Sequence, residues 1–240
     1  MTDKAAARAR LIAGGLLWLT SAQFFIAQFV VQQGWKGSRP YSLTGSWISD
    51  LGATTCGTYR GGSGTIVCSP RHLLLNIGLV VLAVQVAGGA LLLRRLLPPS
   101  RWTDPAVALL VVAGLALPFV ALFPEDTGKP WHTIAAILHL ATAGLGTLAT
   151  GLVLRSSGLS RTAALALILG TASVIGTLLI GVGSGAGIGR AAVERLAAWP
   201  FTAWTTLAGA QVLLLARRHK TSSLTRPKLR VGADCPRELG

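Results

Sequence analysis

The chain of 240 residues is 51% hydrophobic and only 12% charged, and its formal net charge is +14 at pH 7. So few charges in so apolar a chain indicate lipid rather than water as its main solvent and exclude an ordinary soluble domain. A basic charge also suits nucleic-acid binding. However, no basic segment outside the apolar stretches is large enough to fold, so we expect no nucleic-acid partner.

Six apolar stretches dominate the chain, each close to the roughly 20 residues that cross a bilayer as a helix. They cover residues 11–31, 73–93, 106–123, 134–154, 163–182 and 196–216. None contains Lys, Arg, Asp or Glu, and none has the polar stripe of a helix on a soluble core. The sequence therefore predicts an all-α fold, a six-helix transmembrane bundle over residues 1–218. The basic tail 219–240 has almost no apolar face and is expected to be disordered or to lie on the inner leaflet.

The first stretch has a second interpretation. A basic start, the apolar residues 11–19 and the small residues 20–22 are typical of a cleaved signal peptide. Apolar residues continue to Val31, beyond the usual length of such a segment. We therefore expect this stretch to be retained as the first span.

The basic residues are distributed unequally between the two sides that six spans define. The side with both termini holds fifteen of the 22 Lys and Arg residues, and the other side holds seven. By the positive-inside rule both termini are cytoplasmic in a multi-pass protein of the cell membrane, and loops 32–72, 124–133 and 183–195 face outward. The net charge then reflects topology and contact with anionic lipid.

Two of the three cysteines, Cys56 and Cys68, fall in the first outward loop with a Gly-rich spacer between them. On an oxidising side of the membrane this pattern predicts a disulfide bond. A metal is the alternative, but no outward histidine lies near them at the spacing of a zinc finger. Cys235, in the tail, is expected to stay reduced.

The informative ionisable residues gather on the outward side. They include Asp50, Asp126 and Glu194 in loops, and His132 and His139 around the start of the fourth span. The two histidines are seven residues apart and share one helix face, with His139 about two turns deeper. An ionisable side chain at that depth must face the bundle or water, which marks His139 as a functional candidate. The alternative is a neutral ring that only hydrogen-bonds to a neighbouring helix.

Several short motifs near the ends of the spans form one pattern. They are Tyr41 with the run Trp-Ile-Ser-Asp-Leu-Gly at 47–52, Asn76, the run Phe-Pro-Glu-Asp at 123–126, His132, and residues 189–195 ending in Glu194 and Arg195. In this pattern the chain resembles, over about residues 10–216, the bacterial membrane proteins grouped as domain of unknown function 998. The resemblance implies a six-helix architecture and a shared outer cluster, not an activity. The Cys-bounded insertion 56–68 departs from that pattern.

One hypothesis is an intramembrane hydrolase that acts on an outer-leaflet lipid or lipid-linked substrate. Carboxylates beside a histidine suit general acid–base hydrolysis. The catalytic residues would be Asp50, Asp126, His132 and Glu194. The substrate-binding residues would be Ser49, Asn76, His139 and Arg195.

A metal-dependent version of this hypothesis uses His72, His132, His139 and Asp50 as a zinc set. It loosely resembles the alkaline ceramidase-type hydrolases, but the spacing matches no established zinc motif and the helix count differs. We therefore expect no metal and no cofactor.

The other hypothesis involves no chemistry, and the sequence favours it. A small bundle would bind membrane lipids or a partner membrane protein, and the polar cluster would be a structural network. Asp126 at the entry to the fourth helix and Arg195 at the entry to the sixth would then pair, together with Asp50 or Glu194. Such an ion-pair network accounts for the same residues without catalysis.

Overall fold

The chain folds almost entirely into helices in a computed structural model that describes residues 3–58, 65–157 and 159–224. The long helices are α1 (Asp3–Thr20), α2 (Gln23–Gln32), α3 (His72–Leu93), α4 (Thr103–Leu122), α5 (Lys129–Leu154), α6 (Ser160–Gly181) and α7 (Arg190–Leu224). Short 3-10 helices occur at Ser49–Gly52 and Arg94–Leu96. The described residues form no β-strand, and the all-α prediction is confirmed.

Five helical segments are long and apolar enough to cross a membrane. They are Ala5–Gln32, His72–Leu96, Thr103–Leu122, Lys129–Leu154 and Ser160–Gly181. These segments contain most of the first five predicted spans. The sixth predicted span, 196–216, lies inside α7, which is not among the five because Trp, Thr, Pro and Gln interrupt its apolar residues. Helix α7 nevertheless packs against α1, α5 and α6, so it completes the six-helix bundle.

The bundle has two ends. We call the end that carries loop 33–71 and the connections 123–128 and 182–189 the loop end. The opposite end, where α1 begins, is the terminal end. Both names follow the path of the chain and do not depend on which side of the membrane each end faces.

The first span is interrupted, whereas the sequence predicts one continuous helix over 11–31. Helices α1 and α2 meet at Ser21 and Ala22. The Ser21 hydroxyl lies 2.6 Å from the Trp18 carbonyl oxygen and 2.8 Å from Thr205 Oγ1 on α7. A serine hydroxyl that bonds to its own helix competes with the helical backbone hydrogen bonds. The break therefore lies where α1 is tied to α7.

Two helices extend beyond the apolar stretches that the sequence predicts as spans. Helix α5 begins at Lys129 rather than at 134, because Pro130 is well suited to the first turn of a helix. Helix α7 runs from Arg190 to Leu224, so the first residues of the predicted disordered tail are helical. Lys, Arg and Leu favour the helical backbone, and the helix can leave the apolar stretch without ending. The rest of the tail, 225–240, lies outside the described residues.

Helices α1, α5, α6 and α7 approach one another through glycines. A Cβ atom built on Gly209 of α7 would lie 2.3 Å from the Leu19 backbone nitrogen and 2.6 Å from the Gly15 carbonyl oxygen. On Gly176 of α6 it would lie 2.4 Å from the Ala197 nitrogen. These helices touch backbone to backbone, as is common where small residues pack in lipid.

The Gly209 contact supports a specific prediction. Gly209→Ala should lower the free energy of unfolding in detergent by about 1 to 3 kcal/mol, because the new methyl group meets backbone atoms that cannot rotate away. The matched control is Gly181→Ala, since a Cβ there has nothing within 4 Å. Equal thermal midpoints for the two variants would show that α1 and α7 can separate without cost.

The described residues of loop 33–71, which are 33–58 and 65–71, pack over the loop end. Cys56 and Cys68 are joined by a disulfide bond, as the sequence predicts, and Gly57 and Val67 form an antiparallel bridge beside it. The Cys68 carbonyl oxygen accepts a hydrogen bond from the Lys36 nitrogen at 3.0 Å. The bonded segment is thereby tied to the chain that leaves α2.

Candidate functional site

Arg195 fastens loop 33–71 to the first turns of α7. Its Nη1 donates to the carbonyl oxygens of Ser46 (2.8 Å) and Ala191 (2.9 Å), and its Nη2 donates to the Tyr41 hydroxyl (2.6 Å). The guanidinium also lies 5.6 Å from the ring centres of both Tyr41 and Trp199. Only 4% of Arg195 is exposed. A buried cation held in this way is a structural clamp whose planar fork lysine cannot reproduce.

Two carboxylates on either side of this clamp hold the 3-10 helix Ser49–Gly52. Asp50 Oδ2 accepts a hydrogen bond from the Trp47 nitrogen at 2.7 Å, and Glu194 Oε2 accepts one from the Ile48 nitrogen. Charged acceptors make stronger hydrogen bonds with backbone N–H groups than neutral ones. We call the set Tyr41, Asp50, Glu194 and Arg195 the loop anchor.

The Tyr41 hydroxyl lies at the centre of the loop anchor. It accepts from Arg195 and donates to the Trp47 carbonyl oxygen at 3.1 Å. Burial raises the pKa of Tyr41 far above its ordinary value; Arg195 opposes this rise, and the charges of Glu194 and Asp50 add to it. Tyr41 is therefore a neutral phenol at physiological pH and acts by hydrogen bonding.

Asp126 is not part of the loop anchor, and its predicted pairing with Arg195 is wrong. Its Oδ2 accepts four hydrogen bonds of 2.7 to 3.0 Å from the backbone nitrogens and hydroxyls of Thr54 and Thr55. Partial burial alone would raise the pKa of Asp126, but these hydrogen bonds outweigh burial and hold it below its ordinary value. Asp126 thus ties the α4–α5 connection to the loop just before Cys56.

A cavity of about 70 Å³ lies beneath the 3-10 helix, between α2, α3, α4, α5 and α7. We call it the loop-end cavity. Most of its wall is apolar, and five of the eight predicted site residues also line it: Ser49, Asn76, His132, His139 and Glu194. Asp50, Asp126 and Arg195 are not among its lining residues. The structure thus separates the predicted cluster into a cavity group and a group that holds loops in place, with Glu194 common to the cavity and the loop anchor.

Both histidines of the cavity are oriented by α4. His139 Nδ1 lies 2.9 Å from the Ala113 carbonyl oxygen, and His132 Nδ1 lies 3.0 Å from that of Phe123. A carbonyl oxygen can only accept, so Nδ1 carries the proton in both rings and Nε2 of a neutral ring is an acceptor. Within the part of the chain that the structure describes, neither Nε2 has a hydrogen-bond partner.

Besides the histidines and Glu194, the cavity has two polar lining residues, Ser49 and Asn76, and both are engaged with neighbouring groups. Ser49 Oγ donates to Glu125 Oε2 at 2.7 Å, and Asn76 Nδ2 donates to the Gly52 carbonyl oxygen at 3.1 Å. Together they fix the 3-10 helix over α3 and the α4–α5 connection. What the cavity offers a ligand is therefore mainly acceptors, from two imidazoles and one carboxylate.

The zinc set considered from the sequence does not assemble. Across residues 3–58, 65–157 and 159–224, no three His, Cys, Asp or Glu side chains are grouped so that they could hold a metal ion. His72 Nδ1 lies 3.0 Å from the carbonyl oxygen of Ser69, and Asp50 faces the Trp47 nitrogen. These two side chains therefore serve local backbone groups.

Four partners of the site residues do not follow from the sequence. Tyr41 belongs to a motif, but nothing in the motif indicates that it carries the central contact of Arg195. The sequence likewise gives no role to Thr54 and Thr55, which bind Asp126, or to Glu125, which binds Ser49. An adjacent pair of threonines next to a cysteine was the available signal, but nothing in it indicates a carboxylate about 70 residues away.

These features define a multi-pass helical membrane protein with a loop clamped over a mainly apolar cavity at one end of its bundle. The chain matches the family described as "Protein of unknown function (DUF998)" over residues 12–211, and it belongs to that family. No curated protein and no solved structure matches the chain.

Proposed function

We propose that this protein binds a membrane lipid by inserting its headgroup into the loop-end cavity. The observation that carries the proposal is the pair of imidazole Nε2 acceptors that share an otherwise apolar cavity with Glu194. Sites of this kind, apolar with a few convergent polar groups, are typical of small-ligand pockets between the helices of bundles.

The polar lining also indicates the class of headgroup. A lining in which acceptors predominate favours a ligand that brings its own N–H or O–H groups, such as an ethanolamine ammonium or the hydroxyls of glycerol. At roughly 10–15 Å³ per water molecule, the cavity has room for about five waters, which suits a headgroup and not a whole lipid. The acyl chains would remain against the apolar exterior of the bundle.

The test compares lipids that differ in headgroup donors. The purified full chain in detergent is titrated with phosphatidylethanolamine, phosphatidylglycerol and phosphatidylcholine, and bound lipid is counted by native mass spectrometry. We expect ethanolamine or glycerol lipids to bind about tenfold more tightly than phosphatidylcholine, because the choline headgroup has no N–H or O–H donor. Equal binding of all three lipids would contradict the proposal.

Glu194→Gln provides the matched variant. Glutamine keeps an acceptor for the Ile48 nitrogen but removes the negative charge, so ethanolamine binding should weaken while the loop anchor stays assembled. The control is Glu125→Gln, a carboxylate of the same end that does not line the cavity. If both variants lost the same amount of affinity for ethanolamine lipid, the headgroup would not bind in the loop-end cavity.

An intramembrane hydrolase is the second candidate, favoured by the presence of His132, Glu194 and the Ser49 hydroxyl around one cavity. The measurement is release of headgroup or phosphate from the same lipids by the purified protein. If His132→Gln kept lipid binding and thermal stability but abolished such release, hydrolysis would replace binding as the function. Co-purification of a second membrane protein without lipid would instead favour partner binding.

The proposed setting is the cell membrane, with both termini cytoplasmic and the loop end outside. Single cysteines introduced at Ser100 and Gly128 in a Cys235→Ser background test this topology. An impermeant maleimide applied to intact cells should label only position 128. Labelling of position 100 alone would indicate the opposite orientation, with the loop-end cavity on the cytoplasmic side.

A further inference from the structure

A second cavity lies at the other end of the bundle. It encloses about 110 Å³ between α1, α3, α4, α5, α6 and α7, and we call it the terminal-end cavity. Its wall consists mainly of leucine, alanine and valine side chains, with Trp18 and Trp204 on its deeper side. No ionised side chain lines it. It shares no lining residue with the loop-end cavity, so an inference about it is independent of the proposed function.

Two hydrogen-bond donors at this cavity have no acceptor among the described residues. The Trp204 indole Nε1 is buried without a partner, although only 1% of the residue is exposed. By contrast, the Trp18 Nε1 donates to the Val86 carbonyl oxygen at 3.3 Å. Gln211, which is half-buried, receives a hydrogen bond from Thr162 Oγ1 on its Oε1, at 2.8 Å, and its amide Nε2 has no partner among the described residues. Of the two donors, only Trp204 Nε1 is fully buried. A buried donor without a partner costs about 1 to 3 kcal/mol, so an occupant that supplies an acceptor is favoured.

Water fits this cavity poorly. A buried water molecule is stable when it finds two to four polar partners, and apolar cavities of similar size stay dry or hold apolar ligands. Here the two donors lie seven residues apart on α7 and so about 10 Å apart along its axis. The hydroxyls of Thr150 and Thr162, which also line the cavity, already donate to the Gly146 carbonyl oxygen and to Gln211 Oε1, and the rest of the wall is apolar. The lining therefore selects an elongated apolar molecule with one or two acceptor oxygens.

The rim of the cavity meets the membrane. Leu96, Leu159 and Leu215 line the cavity and are also exposed on the outside of the bundle near the terminal end. Exposed leucines in a membrane protein face lipid, so a lipid chain can enter between the helices from the bilayer.

From these observations we propose that the terminal-end cavity is a binding site for a neutral lipid that carries carbonyl oxygens. The carbonyl accepts hydrogen bonds from Trp204 Nε1 or Gln211 Nε2, and the apolar body fills the space against Trp18 and the leucines. A fatty-acyl ester supplies one carbonyl on a long chain. A prenyl quinone supplies two carbonyls and can meet both donors.

The experiment uses the purified full chain in detergent with three probes: 1-oleoylglycerol, decylubiquinone and 1-octadecene. Apparent affinities are obtained from the dependence of the thermal midpoint on probe concentration. We expect at least one carbonyl probe to bind about three- to tenfold more tightly than octadecene, the range that one hydrogen bond supplies.

Trp204→Phe keeps an aromatic ring and removes the N–H, and Gln211→Leu removes the amide. Weakening of decylubiquinone binding in both variants identifies a quinone, and weakening of 1-oleoylglycerol binding in one identifies an acyl ester. Trp102→Phe is the control, since this indole is exposed and does not line the cavity. The proposal is overturned if octadecene binds as well as the carbonyl probes. It is also overturned if neither carbonyl probe binds, or if both substitutions leave binding unchanged.

Discussion

Replacing Arg195 with alanine is expected to lower the free energy of unfolding in detergent by about 3 to 5 kcal/mol. The substitution removes the donors that serve the carbonyl oxygens of Ser46 and Ala191 and the Tyr41 hydroxyl. The measurement is thermal or denaturant unfolding followed by the near-UV signal of the loop aromatics.

Two further variants make this prediction specific. Arg195→Lys should recover only part of the stability, because an ammonium cannot reproduce the planar fork that joins three acceptors. Arg39→Ala is the control, since Arg39 is exposed on the same loop and should change stability little. A loss of equal size in Arg39→Ala would show that charge alone, and not the clamp, stabilises the loop.

The combination with Asp126 distinguishes the observed arrangement from the one predicted from sequence. Asp126 is bound by Thr54 and Thr55, and Arg195 by groups of the loop anchor, so the two residues share no partner. The losses in Asp126→Ala and Arg195→Ala should therefore add in the double variant. A double-variant loss well below the sum would indicate the direct coupling that the structure does not contain.

Removing the disulfide bond should cost about 3 kcal/mol, mainly because the unfolded chain regains the freedom of the closed loop between Cys56 and Cys68. The expected result is a lower thermal midpoint of the Cys56→Ser/Cys68→Ser double variant and of the wild type in reductant. The segment that precedes Cys56 is still held by Asp126, so the bundle itself should remain helical by far-UV circular dichroism.

The control for the disulfide is Cys235→Ser, which removes the third cysteine and should leave the midpoint unchanged. Non-reducing peptide mass mapping provides a direct check, since the bonded pair must appear as one cross-linked peptide. Recovery of both cysteines as free thiols from protein purified without reductant would remove the bond from this account.

The positions of most helices follow directly from the sequence, because lipid leaves few alternatives to an apolar helix of about 20 residues. Five predicted spans correspond to five apolar helical segments, and the sixth lies within α7. The ends of the helices follow less directly from the sequence, since charged and polar residues at Lys129 or beyond Ala216 extend a helix into the interface as readily as they end it.

The break at Ser21 shows why local pattern was insufficient. Residues 11–31 contain no charged side chain, and the serine within them is compatible with a continuous helix. Its hydroxyl, however, meets Thr205, which is 184 residues away in the chain. Only the packing of α1 against α7 brings these groups together.

In the candidate site, too, some features follow from the sequence and others only from the packing of the helices. The sequence by itself determined that this is a helical membrane protein of the DUF998 family, with a disulfide in its first long loop and polar residues concentrated at one end. Charge and residue type are enough for these predictions, because membrane spans, a disulfide within one loop and family motifs depend on composition and on spacing along the chain. Which carboxylate serves which donor was decided only by the tertiary structure, since hydrogen bonds depend on positions within a few tenths of an ångström. The two cavities are likewise products of how five or more helices pack, and no linear pattern records the space between them.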